Sequence, residues 1–195
     1  MRDGFVVPPG DLWVFGYGSL MWDPCFAYDR ACPALLHGYH RAFCVRSVRF
    51  RGTVEQPGLV LGLNRGGACR GMAFHVPAAQ AAAALDALWA REMPPALPDF
   101  TYKPRSVRIA VDLPQDWPQE KKAQTVSALA FVVNPQHAQF VGNLPLDDAA
   151  RMIARGCGLR GPNVDYLRNT LHHLEQLGMR DTRLQKLYRR VLELQ

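Results

Sequence analysis

The segment Trp13-Val-Phe-Gly-Tyr-Gly-Ser-Leu-Met-Trp22 runs as an apolar strand, breaks at Gly16 and Gly18, and then offers Ser19 and several backbone N–H groups. Glycine permits positive φ and close backbone approach, so such a break is one way for a strand end to become a cradle for an anion or oxyanion. An ordinary strand-to-turn transition has the same composition, and the segment alone does not separate the two. A carboxylate further along bears on the choice. Glu92 lies seven, four and three residues after Leu85, Leu88 and Trp89, on the inward stripe of an amphipathic helix. It also occupies the last turn of that helix, where the macrodipole disfavours negative charge. Burial and dipole both raise a carboxyl pKa, toward the range in which one group can accept and return a proton near neutrality. The competing reading is that Arg91 or another arginine neutralises a structural glutamate, and periodicity leaves both open.

The elements that must hold these residues follow from pattern and punctuation. Short strands are expected at Leu12–Gly16, Ala34–Val45, Leu59–Leu63, Gly71–Val76, Ser106–Val111 and Val126–Val133, separated by glycine and proline clusters such as Gln56-Pro-Gly58 and Arg65-Gly-Gly67. Strands at this spacing favour a curled sheet or small barrel. One alanine-rich helix, Pro77 to Glu92, interrupts them and stops before Pro94-Pro95. The last third reads as three helices: one capped by Asp147 and running to Gly156, one capped by Asn163 and running to Gly178, and one starting at Thr182. The fold class is α+β, with residues 1–195 as one domain and about 1–10 as an N-terminal extension.

Composition bounds the function. With 195 residues, 48% hydrophobic and 21% charged, the chain is globular rather than disordered. No apolar run approaches the roughly 18 residues of a membrane span, and the N-terminus lacks a signal-peptide core. A cytoplasmic protein without membrane insertion is expected. Five scattered cysteines (Cys25, Cys32, Cys44, Cys69, Cys157) form neither a disulfide framework nor a zinc spacing, and read as buried thiols; Cys25 is the one weighed as a nucleophile. His137, His172 and His173 have no convincing metal partners. The net charge of +6 is carried mostly by dispersed arginines, with Arg46, Arg49 and Arg51 alternating as on one strand face. No lysine-rich or aromatic-interleaved motif points to nucleic acid, and a carboxylate-bearing metabolite fits the charge equally well.

Taken in order, Val14-Phe-Gly-Tyr-Gly-Ser-Leu20, Arg51-Gly-Thr53 with Pro57-Gly58, Arg91-Glu-Met93, Asn163-Val-Asp-Tyr-Leu167 and Leu177-Gly-Met-Arg-Asp181 resemble the ChaC family of gamma-glutamylcyclotransferases, over about residues 12 to 190. The resemblance implies a small mixed β-barrel with flanking helices, cleavage of glutathione to 5-oxoproline and L-cysteinylglycine, and no metal or organic cofactor. It maps Val14, Phe15, Gly16, Tyr17, Gly18, Ser19 and Leu20 onto the loop that holds the gamma-glutamyl group, and Glu92 onto the catalytic acid/base. The substrate's own α-amine closes a five-membered ring on the γ-carbonyl carbon, and intramolecular attack supplies the effective molarity that would otherwise need a protein nucleophile. Tyr102 takes the place of a family tyrosine at the site. Arg51 is assigned to a substrate carboxylate, or alternatively to a salt-bridging role in the sheet.

Two departures from the family pattern stand out: the proline-rich stretch Pro94 to Thr101 before Tyr102, and Phe140 where tyrosine is more usual. The alternatives are a cyclotransferase for other gamma-glutamyl amines or dipeptides, and a non-catalytic regulator associated with cation transport. Oligomeric state is not legible.

Overall fold

The computed structural model describes residues 9–93, 100–113 and 125–195. Five strands, β1 (Leu12–Gly16), β2 (Arg30–Ser47), β3 (Gly58–Val76), β4 (Tyr102–Val111) and β5 (Thr125–Val133), close a barrel in the order β1-β3-β2-β4-β5. The barrel is mixed: β1 runs antiparallel to β3, from Leu12 opposite Val76 to Gly16 opposite Met72, and parallel to β5 at Val14 opposite Leu129. Four helices complete the α+β fold: α1 (Ala78–Glu92), α2 (Leu146–Arg155), α3 (Asn163–Gln176) and α4 (Thr182–Leu192). A small ladder joins β6 (Cys157–Gly158) to β7 (Gly161–Pro162).

The chain gathers into two compact units, Met1–His40 with Arg65–Val132, and Arg41–Asn64 with Val133–Gln195, so β2 and β3 each contribute to both. In the first unit, one apolar face each of β1, β3 and β5 meets the Ala81, Ala84, Leu85, Leu88 stripe of α1. Val14, Phe74, Leu129 and Phe131 are almost fully enclosed there, and the Trp89 ring stands edge-on to Phe131 at 5.5 Å. This is the amphipathic packing that the periodicity of α1 requires.

The second unit is built around close-approaching glycines. A Cβ at Gly58 would collide with the Arg51 carbonyl, and one at Gly52 with the Gly58 amide. A Cβ at Gly158 would lie 2.7 Å from both the Arg49 carbonyl oxygen and the Gly52 amide nitrogen. Fully buried Asn163 locks this pack: its Oδ1 accepts from the Leu59 amide at 2.6 Å, and its Nδ2 donates to the Leu59 carbonyl at 2.7 Å. The Arg51-Gly, Pro57-Gly58 and Asn163 motifs are therefore one structural assembly.

Several expectations need correction. Leu59–Leu63 and Gly71–Val76 are one strand, β3, which passes through Gly66 and Gly67 without leaving the ladder. Only Arg46 lies in a strand; Arg49 and Arg51 follow the end of β2. Asn163 does not cap α3: Pro162 precedes the helix, and the Asn163 side chain is spent on β3. Pro145, not Asp147, stands at the start of α2, and Asp147 bonds Arg190 on α4 at 2.7 Å. Asp181 caps α4 by accepting from the Leu184 amide. The end of α3 is as expected: Gly178 has φ +67, Met179 N–H donates to the Leu174 carbonyl and Gly178 N–H to that of Glu175, the Schellman pattern. Cys32, Cys44 and Cys69 are buried and Cys25 partly so, but Cys157 is exposed.

Candidate active site

Beyond β1 the chain turns through a single 3₁₀ turn, Ser19–Met21, with no side-chain cap. The amides at the start of such a turn have no partner within it, so Ser19 and Leu20 present donors of the kind a cradle needs. At Gly16 the constraint is one of space, not of handedness. Neither Gly16 nor Gly18 has positive φ. A Cβ on Gly16 would instead lie 3.1 Å from the Phe74 ring and 3.3 Å from Leu20 Cβ, and one on Gly71 would strike the Gly16 carbonyl. Val14 and Phe15 bury their side chains in the core, at 0% and 1% exposure, and so support the loop from beneath.

Glu92 is the last residue of α1 and keeps 18% of its side-chain surface open. Burial raises its pKa above the ordinary glutamate value, and the neighbouring Arg91 acts in the opposite direction. Arg91 also joins the carboxylate to the loop. Its Nε lies 3.6 Å from Glu92 Oε1, its Nη2 donates to Ser19 Oγ at 2.8 Å, and its Nη1 donates to the Asp23 carbonyl at 2.7 Å. A hydroxyl oxygen that accepts from a guanidinium keeps its own proton to donate, so the clasp leaves Ser19 Oγ–H available to a ligand. Leu20 from the loop and Met93, beside Glu92, share one apolar cluster, and Tyr102 at the head of β4 packs against it. The structure thus brings Gly16 to Leu20, Glu92 and Tyr102 together in the first unit. Residues 94–99, most of the proline-rich stretch before Tyr102, lie outside the described residues.

The other end of α1 is also held. Asp11 Oδ1 accepts from the Ala78 amide at 3.0 Å, while its Oδ2 lies 3.2 Å from Nε2 of buried His75, whose Nδ1 is 2.6 Å from Asp29 Oδ1. A carboxylate at a helix N-terminus is favoured by the dipole. Sequence reasoning passed over this cluster because nothing local links residues 11, 29 and 75. It likewise gave Arg91 only the role of neutralising Glu92. Cys25 lies close enough to this site for Arg91 to pull its pKa down and Glu92 to push it up. Burial outweighs Arg91 and pushes the thiol pKa up, which disfavours the thiolate that a nucleophile needs.

Arg51, in the second unit, has its Nη1 committed to the carbonyls of Arg160 (2.5 Å) and Pro162 (3.2 Å), with the guanidinium over the Tyr166 ring. That engagement favours the structural alternative for this residue. Phe140 forms an isolated bridge with Val45. Among the described residues, no group of three His, Cys, Asp or Glu side chains is arranged as metal ligands, and no helix is long and apolar enough to cross a membrane.

The profile of the ChaC-like protein family matches residues 12–194, nearly the entire chain. The chain belongs to the ChaC-like family. It is 35% identical over 178 residues to the glutathione-specific gamma-glutamylcyclotransferase of Escherichia coli K12, covering 91% of this chain and 71% of that one. It is 34% identical to the enzyme of that name from Schizosaccharomyces pombe, covering 82% and 81%. The crystal structure of a yeast gamma-glutamyl cyclotransferase specific to glutathione superposes with a TM-score of 0.78 at 22% identity, covering 94% of this chain and 96% of that one. That superposition is a likeness of fold: the small mixed barrel with helices expected of a ChaC-like protein.

Proposed function

We propose that this ChaC-like protein is a glutathione-specific gamma-glutamylcyclotransferase, releasing 5-oxoproline and L-cysteinylglycine. The observation that carries the reading is the half-buried, pKa-raised Glu92 carboxyl joined through Arg91 to the Ser19 loop. The gamma-glutamyl group sits over Gly16 to Leu20. Glu92 takes a proton from the substrate α-ammonium, and the freed amine attacks the γ-carbonyl carbon. The new C–N bond closes the ring, and negative charge collects on the carbonyl oxygen, where the Ser19 hydroxyl and loop amides donate to it. Collapse of this intermediate breaks the bond to the cysteinyl nitrogen, which leaves with the proton returned by Glu92. No water is consumed. Attack leaves a second proton on the ring nitrogen, which the emptied Glu92 takes up and passes to the departing amine, so the two protons lost by the α-ammonium are the two that turn the amide N–H into an ammonium.

Tyr102 is assigned to the wall of the site, and Arg51 receives no direct part. Glutathione as the physiological partner and the cytoplasm as the place of action belong to the same proposal. The test is incubation of the purified protein with glutathione and chromatographic detection of 5-oxoproline and cysteinylglycine in equal amounts. Glu92→Gln, folded as judged by circular dichroism, should abolish turnover. Full activity in that variant removes Glu92 from the mechanism, and equal turnover of gamma-glutamyl-alanine removes the restriction to glutathione.

A further inference from the structure

The Arg-rich segments of the second unit converge on a surface that the reaction does not use. Arg49 and Arg160, both exposed, stand at the meeting point of residues 46–56 and 155–162, segments that also carry Arg46 and Arg155 against one acidic residue, Glu55. The Arg51 guanidinium is spent on the Arg160 and Pro162 carbonyls. Backbone bonds from the Leu159 amide to the Arg49 carbonyl and from the Arg160 amide to the Phe50 carbonyl, each 2.9 Å, fasten the two tips side by side. The glycine pack and Asn163 sit directly behind, so the tips are rigidly backed. The surface they present is also apolar. Phe50 is 45% exposed, and Leu159 and Val54 are each 75% exposed. Leu159 and Arg160 form the two-residue turn between β6 and β7, a convex point by construction.

We infer that this Arg–Phe–Leu tip is a docking surface for an anionic lipid bilayer. Exposed apolar side chains flanked by arginines suit an interface where acyl chains take the former and phosphates the latter. The same features disfavour other anionic partners. The Arg49 and Arg160 guanidiniums lie over the Phe50 ring at 5.4 and 4.9 Å from its centroid, where a nucleic-acid base would have to stack. A convex turn likewise offers no groove for an acidic peptide, whereas a bilayer surface deforms around it. Contacts of this size give reversible, salt-sensitive association rather than anchoring.

The test is flotation of the intact protein with phosphatidylcholine vesicles, with and without about 30 mol % phosphatidylglycerol, in about 0.1 M salt. The protein should float with the anionic vesicles, stay behind with the neutral ones, and be released by about 1 M salt. Arg49→Gln with Arg160→Gln should weaken binding on the order of tenfold or more, because each arginine near such a surface contributes measurably. Arg49→Lys with Arg160→Lys should retain most of it, and Phe50→Ser with Leu159→Ser should lose it. Glutathione turnover should be unchanged in all three, showing that the fold is intact. No flotation with anionic vesicles overturns the proposal, as does flotation that the Ser variant keeps. Tighter binding to single-stranded oligonucleotide or polyglutamate than to vesicles overturns it as well.

Discussion

Replacing Arg91 separates two effects that the geometry combines in one side chain. Arg91→Gln removes a charge-assisted bond to Ser19 Oγ at 2.8 Å and another to the Asp23 carbonyl at 2.7 Å. Hydrogen bonds to a charged group contribute about 1.5–3 kcal/mol, so losing the Ser19 bond, which aligns the proposed oxyanion donor, should lower kcat by about 10- to 150-fold. The substitution also removes the cation that holds down the Glu92 pKa. As the proposed base, Glu92 works in its ionised form, so activity should rise as pH climbs through its pKa. With Arg91 gone, the acidic limb of the kcat profile should move to higher pH. Arg91→Lys keeps a charge beside Glu92 but cannot make the forked contact. Its limb should stay near the wild-type position while kcat falls. Initial rates of 5-oxoproline release across the pH range measure both effects. A folded Arg91→Gln enzyme with wild-type kcat and an unmoved limb would falsify the clasp, and the reasoning from Arg91 to Ser19 would fall with it.

The remaining predictions concern stability. Because burial raises the Glu92 pKa in the folded state, its ionised form costs stability. Glu92→Gln should therefore raise the melting temperature at neutral pH, and the gain should vanish below the ordinary glutamate pKa of about 4.3, where both folded and unfolded chains hold the proton. A melting temperature lowered at neutral pH would contradict this. Asn163→Ala should orphan the Leu59 amide and carbonyl, each at a cost of about 1–3 kcal/mol. For a chain of 195 residues this corresponds to a melting temperature lower by about 5–15 °C, read by calorimetry. Gly58→Ala should yield little folded protein, because its Cβ meets the Arg51 backbone carbonyl. Gly66→Ala, at φ +95 in open space, should cost only about 1–2 kcal/mol; comparable losses at the two glycines would refute the close-packing account.

What the amino-acid order determined by itself was everything that depends on local repeat. The 3.6-residue period placed Glu92 inward with Leu85 and Leu88, and alternation with punctuation located β1 and β5 closely and the later parts of β2 and β4. The run from Val14 to Leu20 marked one half of the candidate site for the same reason: a strand, its break and its donors are contiguous. The tertiary structure decided what distant residues do to one another. Arg91 meets Ser19 across 72 positions and Asn163 meets Leu59 across 104. No local pattern encodes such pairings, because they form only after strands and helices have packed. Folding also decided why the glycines are glycines: Gly58 is required by the backbone that lies beside it, whereas Gly66 and Gly67 are favoured by their own φ. Asn163 shows the limit most clearly. As a residue type at a helix start it looks like a cap, yet burial against β3 gives it a stronger claim: an unpaired backbone amide and carbonyl inside the protein cost more than an uncapped helix end in water.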